Sequence, residues 1–145
     1  MRELACSEVR KLEECLEALS GHHNKVSVNF KGKYPKKPCH ETLESFEKDI
    51  RAGKSKIGVV EYGEKIAGFC KADLCGSEGK VGYLIVLEEF RGKGYGDLLL
   101  NWAVKVLKEG GAGSIEVRVV DGNDAAGFYE KHGFRVCSHV LRMDP

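Results

Sequence analysis

The stretch Val81-Gly-Tyr-Leu-Ile-Val-Leu-Glu-Glu-Phe-Arg-Gly-Lys-Gly-Tyr-Gly-Asp-Leu-Leu-Leu-Asn-Trp102 moves from an apolar run, through three alternating glycines, into a new apolar period. Residues 81–87 are nearly all apolar, the pattern of a strand covered on both faces. From about Gly94 to Glu109 the apolar positions Leu98, Leu99, Trp102, Val106 and Leu107 recur at helical spacing. Between the two, Gly92, Gly94 and Gly96 offer backbone with no Cβ, so successive N–H groups can converge on one point. At the start of a helix those groups add to the unpaired amides and the positive end of the helix dipole. The combination is an anion site, and phosphate is its usual guest. It is neither a P-loop, because Lys93 is followed by Gly94 rather than a hydroxyl residue, nor a dinucleotide turn, because the spacing is G-x-G-x-G.

Outward from this stretch the chain reads as one set of elements. After the helix, GGAG and residues 114–120 (SIEVRVV) give a stop and a strand, so strand, helix and strand form a crossover with parallel strands. Upstream, residues 56–62 and 65–74 are β-rich runs separated by Gly63-Glu64, a hairpin signal, and together with 81–87 they make an antiparallel meander. The N-terminal third predicts two helices. In the first, Val9, Leu12, Leu16 and Leu19 line one face, with Ser7 as N-cap and Gly21 as stop; in the second, Leu43, Phe46 and Ile50 line the face and Gly53 ends it. The polar, basic segment 22–38 between them is a loop. After residue 120 the sequence predicts a turn, a short helix (DAAGFYEKH) and a last strand, FRVCSHVLRM. A minimal first strand lies in residues 2–5. The expected class is α/β, a mixed, mostly antiparallel sheet with a central splayed parallel pair flanked by helices.

The chain has 145 residues, 42% hydrophobic and 31% charged, which suits a single domain over 1–145 that buries about two thirds of its unfolded surface. Its 23 basic and 22 acidic residues leave a net charge of +1, with no field to favour nucleic acid. The charged N-terminus lacks the apolar core of a signal peptide and no run is long enough to span a membrane, so the expected location is the cytoplasm. Six cysteines, Cys6, Cys15, Cys39, Cys70, Cys75 and Cys137, read as reduced thiols there. No metal is expected: Cys39-His40 with His22-His23 matches no standard zinc spacing.

A second motif accompanies the glycines. N-D-A-A-G-F-Y-E-K-H-G-F begins at Asn123 and ends at Phe134. The two together strongly resemble the GCN5-related N-acetyltransferase family, with Arg91, Gly94 and Gly96 matching its R/Q-x-x-G-x-G/A loop and Asn123 through Phe134 its second signature. The resemblance implies acetyl-CoA as cosubstrate. Backbone groups at Leu84, Ile85 and Val86 would pair with the pantetheine arm. Gly92, Lys93, Gly94, Tyr95, Gly96 and Asp97 would wrap the pyrophosphate, beside Arg91. Asn123 would help hold the cofactor, and Tyr129 would protonate the departing thiolate as general acid.

Direct attack by an amine also needs a base, since an alkyl amine has a pKa near 10.4. The position that carries a carboxylate in some relatives is Arg118 here, leaving His22, His23, Glu116 or a water chain as candidates. Tyr83 and Glu61 are candidates to face the acceptor. The expected function is transfer of an acetyl group directly to the amine of a small molecule or peptide, with a non-catalytic acyl-CoA sensor or interaction module as the alternative. The resemblance also leaves room for a homodimer, which such proteins often form through their last strands.

Overall fold

A computed structural model describes residues 1–123 and 125–145. In chain order the elements are β1 (Arg2–Glu3), a 3-10 helix (Cys6–Leu12), α1 (Glu13–Val26), α2 (Cys39–Arg51), β2 (Ser55–Tyr62), β3 (Lys65–Cys75), β4 (Glu78–Val86), a 3-10 turn (Glu88–Phe90), α3 (Tyr95–Glu109), β5 (Ser114–Val117) and α4 (Ala126–Lys131). The sheet order is β1-β2-β3-β4-β5, antiparallel until the β4–β5 pair, which is parallel. Among the described residues no helix is long and apolar enough to cross a membrane.

Helices cover both faces of this sheet. On one, α3 buries Leu99, Leu100, Ala103 and Leu107. It lies so close that a Cβ on Gly58 would sit 2.7 Å from the Trp102 ring. On the other face Phe46 of α2 meets Phe69 and Tyr83 edge-on, at ring separations of 6.2 and 4.9 Å. Val9 and Leu12 of the 3-10 helix are fully buried. Removing that apolar surface from water contributes roughly 1.5–3 kcal/mol for each large side chain. One cation is buried with them: the Lys71 ammonium, its side chain 5% exposed, is held by Asp49 at 3.0 Å and by Asp73. A buried charge persists only with such partners.

Several expected boundaries shift. The first helix opens as a 3-10 turn in which Glu8, not Ser7, caps the chain by accepting the Ala5 N–H at 3.1 Å. Glu8 also takes Arg2 in a bidentate pair, and Arg2 reaches on to Glu61, so Glu61 belongs to an ion network with Arg2 and Glu8. Gly21 does not stop α1, which runs through it to Val26. Helix propensity charges an internal glycine about 1 kcal/mol, an amount the flanking turns absorb. The largest correction is the last strand. Residues 134–145 join no ladder, and Val136, Val140, Leu141 and Met143 are exposed. Apolar, β-branched composition shows what fits a pleated surface but does not supply the edge to pair with. Instead the tail turns back toward the segment after α1, where Arg142 lies over the Phe30 ring at 5.0 Å.

The turn after β5 packs closely against the end of α1. Gly122 has φ +78°, and a Cβ there would lie 2.0 Å from the Val26 carbonyl oxygen at the end of α1. Gly122→Ala therefore combines a left-handed backbone, costing about 1–2 kcal/mol, with a steric clash. We expect it to lower the urea midpoint clearly; an unchanged midpoint would show that the two segments do not pack this closely.

Candidate active site

Parallel pairing of β4 with β5 stops at Val81 and Val117, although β4 continues to Val86. Beyond that pair the strands part. Along the remainder of β4 the peptide groups alternate in direction. Leu87 N–H donates to Ala67 C=O at 2.8 Å, so Ile85, two residues back, also turns its backbone toward β3. The groups of Leu84 and Val86 point the other way, into the gap. Of the three strand residues Leu84, Ile85 and Val86, Leu84 and Val86 thus turn backbone into the gap and Ile85 does not. The Val86 carbonyl already accepts the Arg91 Nε–H at 3.1 Å, which sets that guanidinium on the lip of the gap.

At the end of β4 the glycine loop takes the shape its composition requires. Gly92 and Gly94 have φ of +79° and +82°, and the space where a Cβ would stand is open at both. Gly94 is the N-cap of α3, and its carbonyl takes the first intrahelical bond, from Leu98 N–H at 3.1 Å. The N–H groups of Tyr95, Gly96 and Asp97 therefore have no intrahelical acceptor. Gly96 differs from the other two, with an ordinary φ and the Phe128 ring 3.5 Å from where its Cβ would be. Lys93 lies over the rings of Tyr62 and Phe90, at 5.9 and 5.7 Å. An open backbone nest at a helix start fits a phosphate. A gap of unpaired strand beside it fits an extended amide arm, so the residues present match a coenzyme A ligand.

A cavity of about 80 Å³ occupies the parting of the strands and brings Leu84, Tyr83, Asn123, Tyr129 and His23 together. Arg118, where a carboxylate base would have stood, lines it too. Burial pushes the Tyr129 phenol up to about 12, so it keeps its proton at neutral pH. The Asn123 side-chain oxygen accepts the Ala125 N–H at 3.0 Å, a bond that shapes the entry to α4. Burial, assisted by the charges of His22 and Lys36, holds His23 below the usual histidine value, so it stays neutral over a wider range of pH.

His23 reaches this cavity because the end of α1 is tied to the β5–α4 turn. The Asp121 carboxylate accepts the Ser27 hydroxyl at 2.7 Å and the N–H groups of Val28 and Asn29, both at 2.8 Å. Those bonds, that from Asn29 first, hold Asp121 below the usual carboxylate range. Asn24 mimics a backbone partner, donating to the Tyr34 carbonyl at 2.7 Å and accepting the Tyr34 N–H at 2.9 Å. The Tyr34 ring then meets His23 edge-on at 5.0 Å.

Glu116, another candidate base, is not brought to Tyr129. It lines a larger cavity of about 330 Å³ at the opposite end of β4, beside Asp49, Asp73 and Glu78, where no described residue of either signature is found. Asp97 also takes an unanticipated partner. Its Oδ1 lies 2.7 Å from His132 Nε2, and this bond, with Lys131 nearby at 3.9 Å, holds the carboxyl below its ordinary range.

Residues 21–134 match the model of the acetyltransferase (GNAT) family. A Bacillus subtilis protein that carries an acetyltransferase name is 26% identical over 87 residues, 59% of this chain; the chain spans 58% of that relative's length. Among solved structures, a tetramutant of a Bacillus halodurans protein superposes with a TM-score of 0.78 at 22% identity, covering 99% of this chain and 98% of that one. The PaiA N-acetyltransferase of Thermoplasma acidophilum, solved with coenzyme A, gives 0.75 at 18% identity, with 96% and 91% covered. Glucosamine-6-phosphate N-acetyltransferase of Arabidopsis thaliana gives 0.72 at 23%, with 99% and 95% covered.

The cleft makes one direct prediction. Followed by NMR, the His23 imidazole will titrate below the ordinary value of about 6.5. A midpoint at or above that value would mean that water reaches the ring freely.

Proposed function

Because the chain belongs to the acetyltransferase (GNAT) family, we propose that it transfers the acetyl group of acetyl-CoA directly to the amine of a small molecule or peptide. The observation that carries this reading is that a half-buried Tyr129, which keeps its proton, and a neutral His23 line one cavity where β4 and β5 part. Acetyl-CoA supplies the acyl carbon and a thiolate leaving group.

The residues of the chain do the rest. The amides of Gly92 through Asp97 hold the pyrophosphate, with Arg91 adding charge at the rim. Leu84 and Val86 pair with the pantetheine arm as a neighbouring strand would, and the Val86 N–H polarises the thioester carbonyl. His23 accepts the proton that the attacking amine nitrogen must lose as the carbon–nitrogen bond forms. Tyr129 gives its phenolic proton to the sulfur as the carbon–sulfur bond breaks. Asn123 borders the arm through its side-chain nitrogen, its oxygen being engaged by Ala125.

The two histidine and tyrosine roles require opposite protonation states at one pH. Desolvation produces both, lowering the pKa of the cation His23 and raising that of the phenol Tyr129. On the limb set by the base, activity at saturating amine should therefore persist to lower pH than an ordinary histidine base allows, falling as His23 gains its proton.

A panel comprising spermidine, lysine, glucosamine 6-phosphate and a lysine-containing peptide, read by thiol release, tests the transfer. Tyr129→Phe is expected to lower turnover about 10²-fold or more, with acetyl-CoA affinity by calorimetry close to wild type; a loss of binding with an intact chemical step would refute the acid role. Gly94→Asp, which places a bulky anion in the phosphate nest, is expected to abolish acetyl-CoA binding. Unchanged affinity in that variant would sink the pyrophosphate assignment.

A further inference from the structure

The helix that carries Tyr129 is short and only partly buried against the core. α4 is six residues long and has no fully buried residue, and its N-cap, Ala125, has no capping side chain of its own, the entry being shaped by Asn123. Among the described residues, ring packing and one side-chain bond help to position it. The Tyr129 ring packs on Phe134 and Phe128, at 5.7 and 5.2 Å. Phe128 lies against Gly96. The His132 Nε2, just past the helix end, meets Asp97 Oδ1 at 2.7 Å. The last two contacts both end on the first turn of α3, the turn that the phosphate nest is built on.

We propose that Asp97 and His132 form a positioning pair that holds α4 against the start of α3 and so sets the Tyr129 hydroxyl at the parting of β4 and β5. This rests on the reading of Tyr129 as the acid. His132 lies one turn beyond Tyr129, and its N–H donates to the Tyr129 carbonyl at 3.0 Å. The His132 ring and the Tyr129 backbone therefore move as one body. The His132 side chain is only 14% exposed, and its ring is set by Phe128 at 5.2 Å, so the bond to Asp97 is partly shielded from water and has one geometry.

The pair also explains an acidic side chain in a nest for anions. A carboxylate in the first turn suits the helix dipole but opposes a phosphate at the same place. Turned toward His132 and Lys131, Asp97 spends its charge on α4 and leaves its backbone N–H to the ligand. Within the described chain the two sequence signatures are joined here, side chain to side chain, across thirty-five positions. A displacement of about 1 Å at a reacting group can cost on the order of 10²-fold in rate, so a single bond on so small a helix has leverage.

Two substitutions separate the hydrogen bond from the packing. His132→Phe keeps a ring on Phe128 but has no N–H to offer Asp97; His132→Gln keeps a side-chain N–H donor. Amide hydrogen exchange over residues 126–132 is measured with acetyl-CoA bound, alongside acetyl-CoA affinity and thiol release with an amine from the panel. In His132→Phe we expect exchange in that segment to rise about 10-fold and turnover to fall about 10-fold, with affinity within about 3-fold of wild type. His132→Gln should recover most of both losses. Wild-type exchange and turnover in His132→Phe, or equal losses in His132→Gln, would overturn the pair. Should His132→Phe fail to fold, Asp97→Ala breaks the same bond from the α3 side and is judged on hydrogen exchange and on turnover at saturating acetyl-CoA, not on affinity, since Asp97 belongs to the nest. The acid reading fails separately: Tyr129→Phe with wild-type thiol release would remove it, while hydrogen exchange would still decide whether the pair holds α4.

Discussion

Everything functional in this fold follows from one interruption, the end of β4–β5 pairing at Val81 and Val117. Backbone N–H and C=O groups inside a protein are ordinarily paired, and a strand that leaves its neighbour exposes a row of them. Here the row at Leu84 and Val86 opens between two helical layers, beside a helix start with unpaired amides of its own. The gap persists because other contacts keep β5 from closing it: Asp121 and Gly122 draw the end of β5 to the end of α1, and α4 lies against α3. Ladder hydrogen bonds that would have stabilised the sheet are given up for a place where a ligand can complete it.

The parts of this arrangement written in local pattern were legible in the sequence. The strand, glycines and helix from Val81 to Glu109 have a spacing that only a few backbone shapes accommodate, and the left-handed Gly92 and Gly94 fall where the motif requires them. The second signature brought Asn123 and Tyr129 forward, and both line the cleft. Gly96 is the exception that shows the limit. It resembles its two neighbours in the sequence, yet its backbone is ordinary and what matters there is the Phe128 ring.

Tertiary electrostatics were not legible. Nothing near His132 announces Asp97, and nothing near Asp121 announces Ser27, because each pair is joined only once the chain has folded. His23 and Glu116 began as equal candidates. Folding put one in the cleft with Tyr129 and the other in a different cavity, a choice made by the tie between α1 and the β5–α4 turn. The final strand failed for a related reason. Its composition suits a sheet, but no composition specifies which edge will receive it, and among the described residues none does.

The segment from Ser27 to Tyr34 is clasped at both ends by side chains that lie outside it. Asp121 holds residues 27–29, and Asn24 holds Tyr34 through both its donor and its acceptor. Between the clasps lie Phe30, Lys31, Gly32 and Lys33, exposed or nearly so, beside the histidine that borders the cleft. Such a segment behaves as a replaceable cassette. Its charge and length can be rewritten between fixed hinges while the glycine nest, the parted strands and the residues lining the cleft stay where they are.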